Sequence, residues 1–345
     1  MTVVVYGAGA IGGITGAALT RAGHDVLLVD REETHVAAMN AGGLHVEAGP
    51  RSWSARVKAV TPAQLPAATG GRDLMLVLLA VKSQHTADAL LELAPRLAAD
   101  GAIVSLQNGL NEELIAKVVG RERTVACLVN WGADWLAPGR IMWGGEGAFV
   151  VGELDGPVTP RIERLAALLA AAAPARTSDN VVGLKWSKHV YGSLLFATAL
   201  VDETVFDVVE RSPAIQHMLV ALVAEGIAVA DAAGVRLEAF DEFDPAWYRA
   251  AAAGDAAARE RAMAAIAMHY RAHAKNKTGV WRDLAVRKRK TEVDALIGTT
   301  LAKGRALGQR MALTDELIRL IHEVEDGRPM SWANLDRLVG AAGAA

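Results

Sequence analysis

"VVVYGAGAIGGITGAALTRAGHDVLLVD" runs from Val3 to Asp30. It strings together a β-branched run, a glycine-rich turn, a segment of helical composition and a second apolar run ending on a carboxylate. Gly7, Gly9 and Gly12 stand in G-x-G-x-x-G spacing directly after the first run, and the helical segment opens on Ala10 and Ile11. The first glycine permits a tight turn, the second lets a pyrophosphate approach the backbone, and the third lets helix lie close on strand. The helix N-terminus then offers unpaired N–H groups to phosphate. Glycine spacing alone is a weak signal, and a merely structural turn is its rival. The strand, turn, helix and second strand around it, with Asp30 roughly 20 residues on where a ribose-binding acid belongs, make the dinucleotide reading the stronger one.

Asp30 also bears on which dinucleotide binds. A carboxylate there accepts from both ribose hydroxyls and repels a 2′-phosphate, which favours NAD. Arg31 beside it, and Lys82 in "AVKSQ" at the end of a later apolar run, argue for NADP as the alternative. Lys82 by itself also reads as an ordinary solvated lysine.

At 345 residues the chain is long enough for two domains. With 52% hydrophobic and 22% charged residues it has the material for a large core and is not a disordered chain. The net charge of -3 gives no field for nucleic acid or anionic lipid, and "RKRK" at 287 to 290 reads as a helix face. A single cysteine, Cys127, excludes an internal disulfide and a cysteine-ligated metal; it fits a reducing compartment, so a cytoplasmic enzyme without a metal is expected. The opening "TVVVYGAG" reads as a strand rather than a signal peptide, and no apolar run of the ~18 residues needed to span a membrane is expected.

The first 155 residues alternate apolar runs such as "LMLVLLAV", "AIVSLQNG", "TVACLVN" and "AFVVGE" with helical segments, the pattern of a parallel sheet covered on both faces. From about 180 the chain turns to helical spacing, with long helices expected at 212–234, 255–274, 282–307 and 314–324. An α/β dinucleotide-binding domain over 1–178 and an all-α domain over 179–345 follow, and the long apolar helices make a homodimer reasonable. "LEAFDEFDPAWY", Leu237 to Tyr248, reads as a surface loop, and the final "GAAGAA" as a frayed end. "GLKWSKHVYGSLL", Gly183 to Leu195, places Lys185, Lys188, His189 and Gly192 on one helix face and Trp186, Val190 and Ser193 on another. Its plain reading is a helix start whose lysines extend to water, Lys185 foremost.

Taken in order, "GAGAIGG" (7–13), "AVKS" (80–83), "QNG" (107–109), "PGR" and "GEGAFVVGE" (138–153), "WSK" (186–188) and "DLAVRKRKTEVD" (283–294) make the chain resemble the ketopantoate reductase (2-dehydropantoate 2-reductase) family. The resemblance implies a Rossmann domain followed by a helical domain, with the active site in the cleft between them. It implies Lys188 as general acid, Asn108 in contact with cofactor and substrate, and Glu292 of the T-E-V-D helix near the nicotinamide ribose and the lysine. Thr278 is implied as a substrate-binding hydroxyl, although its offset from Glu292 is longer than the family's, and Ala133 joins the cofactor set. By itself Glu292 also reads as half of a helix-surface ion pair within "RKRKTEVD".

The chain departs from that family where its lysine helix carries asparagines. Gly192 stands one turn after Lys188, the second position falls on Leu195 or Phe196, and Ile297 replaces the asparagine of an N-G pair. Losing amides from a substrate-facing stripe changes selectivity, because a site that binds a hydroxyl discriminates through such groups. The expected reaction is therefore hydride transfer between a 2-oxo acid and a 2-hydroxy acid, on a substrate with a more apolar or aromatic part. His189, Tyr191, Trp131 and Trp135 are candidates to line its pocket. NAD-dependent oxidation of another hydroxylated catabolite, and a non-catalytic dinucleotide-binding protein, are the alternatives.

Overall fold

The structure, a computed structural model, describes residues 1–272 and 276–344. It divides into two compact units, Met1–Val182 and Gly183–Ala345, so the division falls a few residues beyond the 178/179 boundary expected from the sequence.

The first unit opens with β1 (Val3–Tyr6), α1 (Ala10–Arg21), β2 (Val26–Val29), α2 (Glu33–Gly42), β3 (Leu44–Glu47), β4 (Trp53–Ala55), β5 (Lys58–Val60) and α3 (Leu65–Ala68). It continues with β6 (Leu74–Leu79), α4 (Thr86–Leu93), β7 (Leu97–Ser105), α5 (Glu112–Val119) and β8 (Thr124–Val129). β9 (Ala133–Ala137), β10 (Arg140–Trp143), β11 (Phe149–Glu153), α6 (Pro160–Leu169) and β12 (Ala175–Thr177) complete it. Eight strands form one sheet in the order β12-β11-β8-β7-β6-β1-β2-β5. From β5 to β8 neighbouring strands are parallel, and β11 turns antiparallel to β8.

β1 is central: Val3 lies beside Val26 on one side and Leu76 on the other. Its alternate side chains enter two cores. Val3 and Val5 pack with Ile14 and Ala17 of α1, whereas Val4 and Tyr6 pack with Leu90 of α4 and Ile115 of α5. That is why a continuous apolar run, rather than an alternating one, encodes the strand. From β1 the chain winds outward to β2 and β5, then returns to the other side of β1 as β6. This reversal opens a crevice at the C-terminal ends of β1 and β6, where doubly wound sheets hold ligands. A smaller sheet, β4-β3-β10-β9, packs Leu44, Val46 and Ile141 into the α1 side of the core.

The second part of the chain is helical among the described residues. α7 (Val181–Thr198), α8 (Val205–Val209), α9 (Pro213–Ala232), α10 (Pro245–Ala252) and α11 (Ala256–Ala272) lead to α12 (Gly279–Ala285), α13 (Ile297–Ala306), α14 (Ala312–Glu325) and α15 (Trp332–Ala344). Contrary to the expectation of no spanning-length run, α9 is long and apolar enough to cross a membrane. Its Ile215, Met218, Leu219, Leu222 and Val223 are buried, and α8, α10, α11, α13, α14 and α15 pack on the helix. The expected helix 255–274 is observed over Ala256–Ala272, its last two positions lying outside the described residues, and the final segment is helical to Ala344 rather than frayed.

Two further stretches depart from expectation. The helix expected over 282–307 is broken between Ala285 and Ile297. Lys288 takes φ +50, a left-handed conformation that ends a helix, and Asp283 Oδ1 accepts from Arg287 and Arg289, each at 3.0 Å. "RKRK" is thus a turn folded over a buried carboxylate, and Thr291 to Asp294 form the turn before α13 rather than a helix. The stretch Leu237–Tyr248 is no plain surface loop either. Phe240 and Phe243 exchange backbone hydrogen bonds at 2.9 and 2.7 Å, and both rings pack with Tyr191, as does Tyr248 on Phe243.

Candidate active site

In the first unit the glycines of the β1–α1 turn do three different things. Gly7 has φ +100, and a Cβ there would lie 2.6 Å from Val81 N, so the turn presses directly on the chain leaving β6. A Cβ on Gly12 would collide with the Gly7 carbonyl oxygen and meet Ala80 Cβ at 2.9 Å, so that glycine sets how close α1 lies to the sheet. Gly9 is the helix cap at φ -63, and a Cβ on it would meet nothing within 4 Å. Neither strain nor crowding within the chain requires a glycine there; the bare backbone leaves room for a ligand. No side chain caps α1 and no acid lies in its first turn, so the N–H groups at Ala10 and Ile11 keep their positive field for an anion.

His35, which sequence reasoning missed, braces this turn. Buried on α2, its Nδ1 accepts from Gly139 N–H at 2.9 Å, which leaves the proton on Nε2 to donate to the Ala8 carbonyl at 3.0 Å. One imidazole thereby ties the glycine turn to the β9–β10 turn, in a pairing no local pattern encodes.

Around the crevice, Asp30 follows β2, and its Oδ1 accepts from Glu32 N–H at 3.0 Å while Oδ2 carries no hydrogen bond among the described residues. Arg31 is exposed and pairs with Glu32 at 3.7 Å. Lys82 and Asn108, both exposed, sit on the loops after β6 and β7. Those loops are stitched together: Ser83 Oγ and Asn111 Nδ2 each donate to the Asn108 carbonyl at 2.8 Å, and Gln107 Nε2 donates to Val81 O at 2.9 Å and Thr86 Oγ1 at 2.8 Å. Gly109, at φ +84, turns the chain after Asn108. Ala133 begins β9 and packs at the edge of the core that holds Ala10, Ile11 and Ala80. The residues present therefore fit a dinucleotide: an open backbone over Gly9, an uncapped helix end and a carboxylate after β2.

In the second unit, α7 is buried on nearly every side, and between Gly183 and Leu200 only Lys188, Gly192 and Leu195 escape full burial. They fall at i, i+4 and i+7 and form one stripe. Lys185 is not near water: it is 4% exposed. Phe196 is buried, so Leu195 is the residue that shares the stripe. His189 is also buried, bonded to Thr300 Oγ1 at 2.6 Å, and burial with the charge of Lys185 pushes its pKa down to about 4. Tyr191 is packed among Phe240 and Phe243, its hydroxyl held well above the usual range by burial. Trp131 packs on Trp143 and Phe149 inside the first unit, and Trp135 is exposed beside His35. His189, Tyr191 and Trp131 thus fill cores instead of walling a pocket. Thr278 caps α12, its hydroxyl accepting from Trp281 N–H at 3.1 Å, and Glu292 lies half-buried in the turn before α13. No group of three or more histidine, cysteine or acidic side chains able to hold a metal is present among the described residues.

Residues 3–156 match the family described as ketopantoate reductase PanE/ApbA, and residues 180–325 match its C-terminal counterpart. The chain belongs to the ketopantoate reductase family. It is accordingly an NAD(P)-dependent oxidoreductase of the class acting on CH–OH groups. The 2-dehydropantoate 2-reductase of Pyrococcus abyssi is 30% identical over 242 residues, covering 69% of this chain and 76% of that one. That of Archaeoglobus fulgidus is 28% identical over 329 residues, 94% of this chain and 98% of its own. A solved PanE/ApbA family ketopantoate reductase from Ralstonia eutropha superposes with a TM-score of 0.77 at 30% identity, covering 94% of this chain and 99% of that one. D-mandelate dehydrogenase, solved with NADH and anilino(oxo)acetate, shares the fold at 21% identity with a TM-score of 0.79, covering 94% of this chain and 98% of its own.

The lysine stripe carries no amide side chain. Gly192 offers no side chain, and a Cβ there would meet nothing within 4 Å, so neighbouring atoms do not exclude one. Leu195 presents an apolar group, and Ile297 is buried in the packing of the second unit.

Proposed function

We propose that the protein interconverts a 2-oxo acid and the corresponding 2-hydroxy acid, with Lys188 as the general acid and a substrate bulkier and more apolar beside the carbonyl than ketopantoate. The observation that carries this reading is the stripe of Lys188, Gly192 and Leu195 on an otherwise buried helix. An ammonium group, an absent side chain and an alkyl group there suit a carboxylate-bearing carbonyl compound with an apolar substituent.

When bound, the dinucleotide supplies a hydride to the carbonyl carbon. As that bond forms, the carbonyl π electrons move to oxygen, and Lys188 stabilises the growing charge and then gives oxygen its proton. The resulting neutral amine regains a proton from water. Glu292 favours the charged form of the lysine before transfer. Asn108 orients cofactor and substrate, and Thr278 binds the substrate. Gly7, Gly9, Gly12, Ala10 and Ile11 receive the pyrophosphate.

NAD is the favoured nucleotide. Asp30 accepts from the ribose hydroxyls, and Arg31 is engaged by Glu32 on a surface that also carries Glu33, which disfavours a 2′-phosphate. Lys82 is the residue that would favour NADP. The NADH and the aryl oxo acid named for D-mandelate dehydrogenase lend support, because that enzyme shares this fold.

The same features favour a second reading, oxidation of a hydroxylated catabolite with NAD as the physiological direction. A panel of 2-oxo and 2-hydroxy acids of increasing side-chain size, each assayed with both nucleotides, separates these. The expected result is higher kcat/KM with NAD(H) and for aryl or branched acids. Strong NADPH selectivity with ketopantoate as the best substrate would overturn the substrate and cofactor assignments together.

A further inference from the structure

Two residues close to Glu292, Thr291 just before it and Asp294 two positions after it, are each held from α14. On one side, Thr291 gives its backbone N–H and its hydroxyl to Glu325 Oε1, at 2.7 and 2.8 Å. On the other, Asp294 Oδ1 meets His322 Nε2 at 3.0 Å. His322 Nδ1 closes the loop on Glu325 Oε2, also at 3.0 Å, so one imidazole and one carboxylate bind both ends of the turn. The Glu325 side chain is 1% exposed, too deep for a casual surface contact, and Lys290 reaches it at 3.4 Å while also pairing with Asp326 at 3.1 Å. Between the two anchors Val293 is buried, its N–H given to the Thr291 hydroxyl at 3.2 Å, and the Glu292 carbonyl accepts from Leu296 N–H at 2.9 Å. The backbone just before Glu292 is thus fixed from another helix, and the Asp294 side chain just after it is held from the same helix.

We propose that Glu325 and His322 are positioning residues that act through Glu292, holding its carboxylate in the geometry the reaction needs. The proposal rests on the reading that Glu292 takes part in that reaction. Burial works against charge on both groups, but their mutual hydrogen bond outweighs it, with Asp294 on one side and Thr291 on the other. His322 is held above and Glu325 below their ordinary values, and each shift favours the charged form. A charged pair grips two neighbouring acceptors and donors more firmly than a neutral one.

The test is a double-mutant cycle on the full-length enzyme with its best substrate, with thermal melting and NADH binding measured on every variant. Glu292→Gln is expected to lower kcat about 100-fold. Glu325→Ala is expected to lower kcat about 30-fold with KM within about threefold, since a displaced group costs turnover more than binding. In the Glu292→Gln background, Glu325→Ala should add less than about threefold, because both changes remove the same contribution. A full further loss in that background shows that Glu325 does not act through Glu292 and overturns the proposal, as does an unchanged kcat for folded Glu325→Ala. Should Glu325→Ala fail to fold, Glu325→Gln and His322→Gln run the same cycle with smaller losses. An unchanged kcat for Glu292→Gln is a different failure: it removes the role of Glu292 itself.

Discussion

Gly192 sits well inside α7, where glycine costs about 1 kcal/mol relative to alanine. Because a Cβ there would meet nothing within 4 Å, the structure gives no packing reason for that cost. Gly192→Ala should therefore raise stability by about 1 kcal/mol, read as a higher urea midpoint, while lowering kcat/KM for bulky oxo acids. A midpoint that falls would show a hidden steric demand. His189 makes the opposite kind of statement. Its folded-state pKa, pushed from 6.5 down to about 4, lies below the unfolded value, so the unfolded chain takes up the proton first. Its contribution is complete above about pH 6.5 and is lost as pH falls toward about 4, at about 1.4 kcal/mol per unit. Urea midpoints at pH 7 and pH 5 should reveal that slope, and His189→Gln should flatten it; an equal slope in the variant would contradict the assignment.

Among the elements, β1, α1 and β2 were legible because everything that shapes them is local: a strand buried on both faces, a glycine turn and a second strand within 30 residues. The brace on that turn was not, since His35 reaches Gly139 across 104 positions of sequence. Removing it leaves the Ala8 carbonyl and Gly139 N–H buried without partners. His35→Ala should cost about 1–3 kcal/mol of stability, and NADH titration by fluorescence should show weaker binding. Unaltered binding would mean that the turn holds its shape unaided. The break before α13 was illegible for the same reason. Helical spacing runs through "DLAVRKRKTEVD", but Glu325, 34 positions away, captures Thr291, and that tertiary bond overrides propensity. The lysine stripe was half legible: the spacing of Lys188 and Gly192 was there to read, whereas the burial of Lys185 and Phe196 depends on what packs against α7.

For the whole molecule, composition and patterning were enough for an α/β half followed by a helical half, because each half's periodicity is sustained over more than 100 residues. The most apolar helix of the helical half, α9, packs against α8, α10, α11, α13, α14 and α15. Substrate choice is the property least visible at this scale. In the proposed function it rests on three positions of one helix, Lys188, Gly192 and Leu195, and the proposed chemistry rests on the first of them. The most direct test is turnover of Lys188→Ala with NADH and the best 2-oxo acid, with the NADH dissociation constant measured on the same sample. A kcat lower by about 1000-fold with NADH binding within about twofold is predicted; turnover equal to that of the unaltered enzyme would contradict Lys188 as the proton donor.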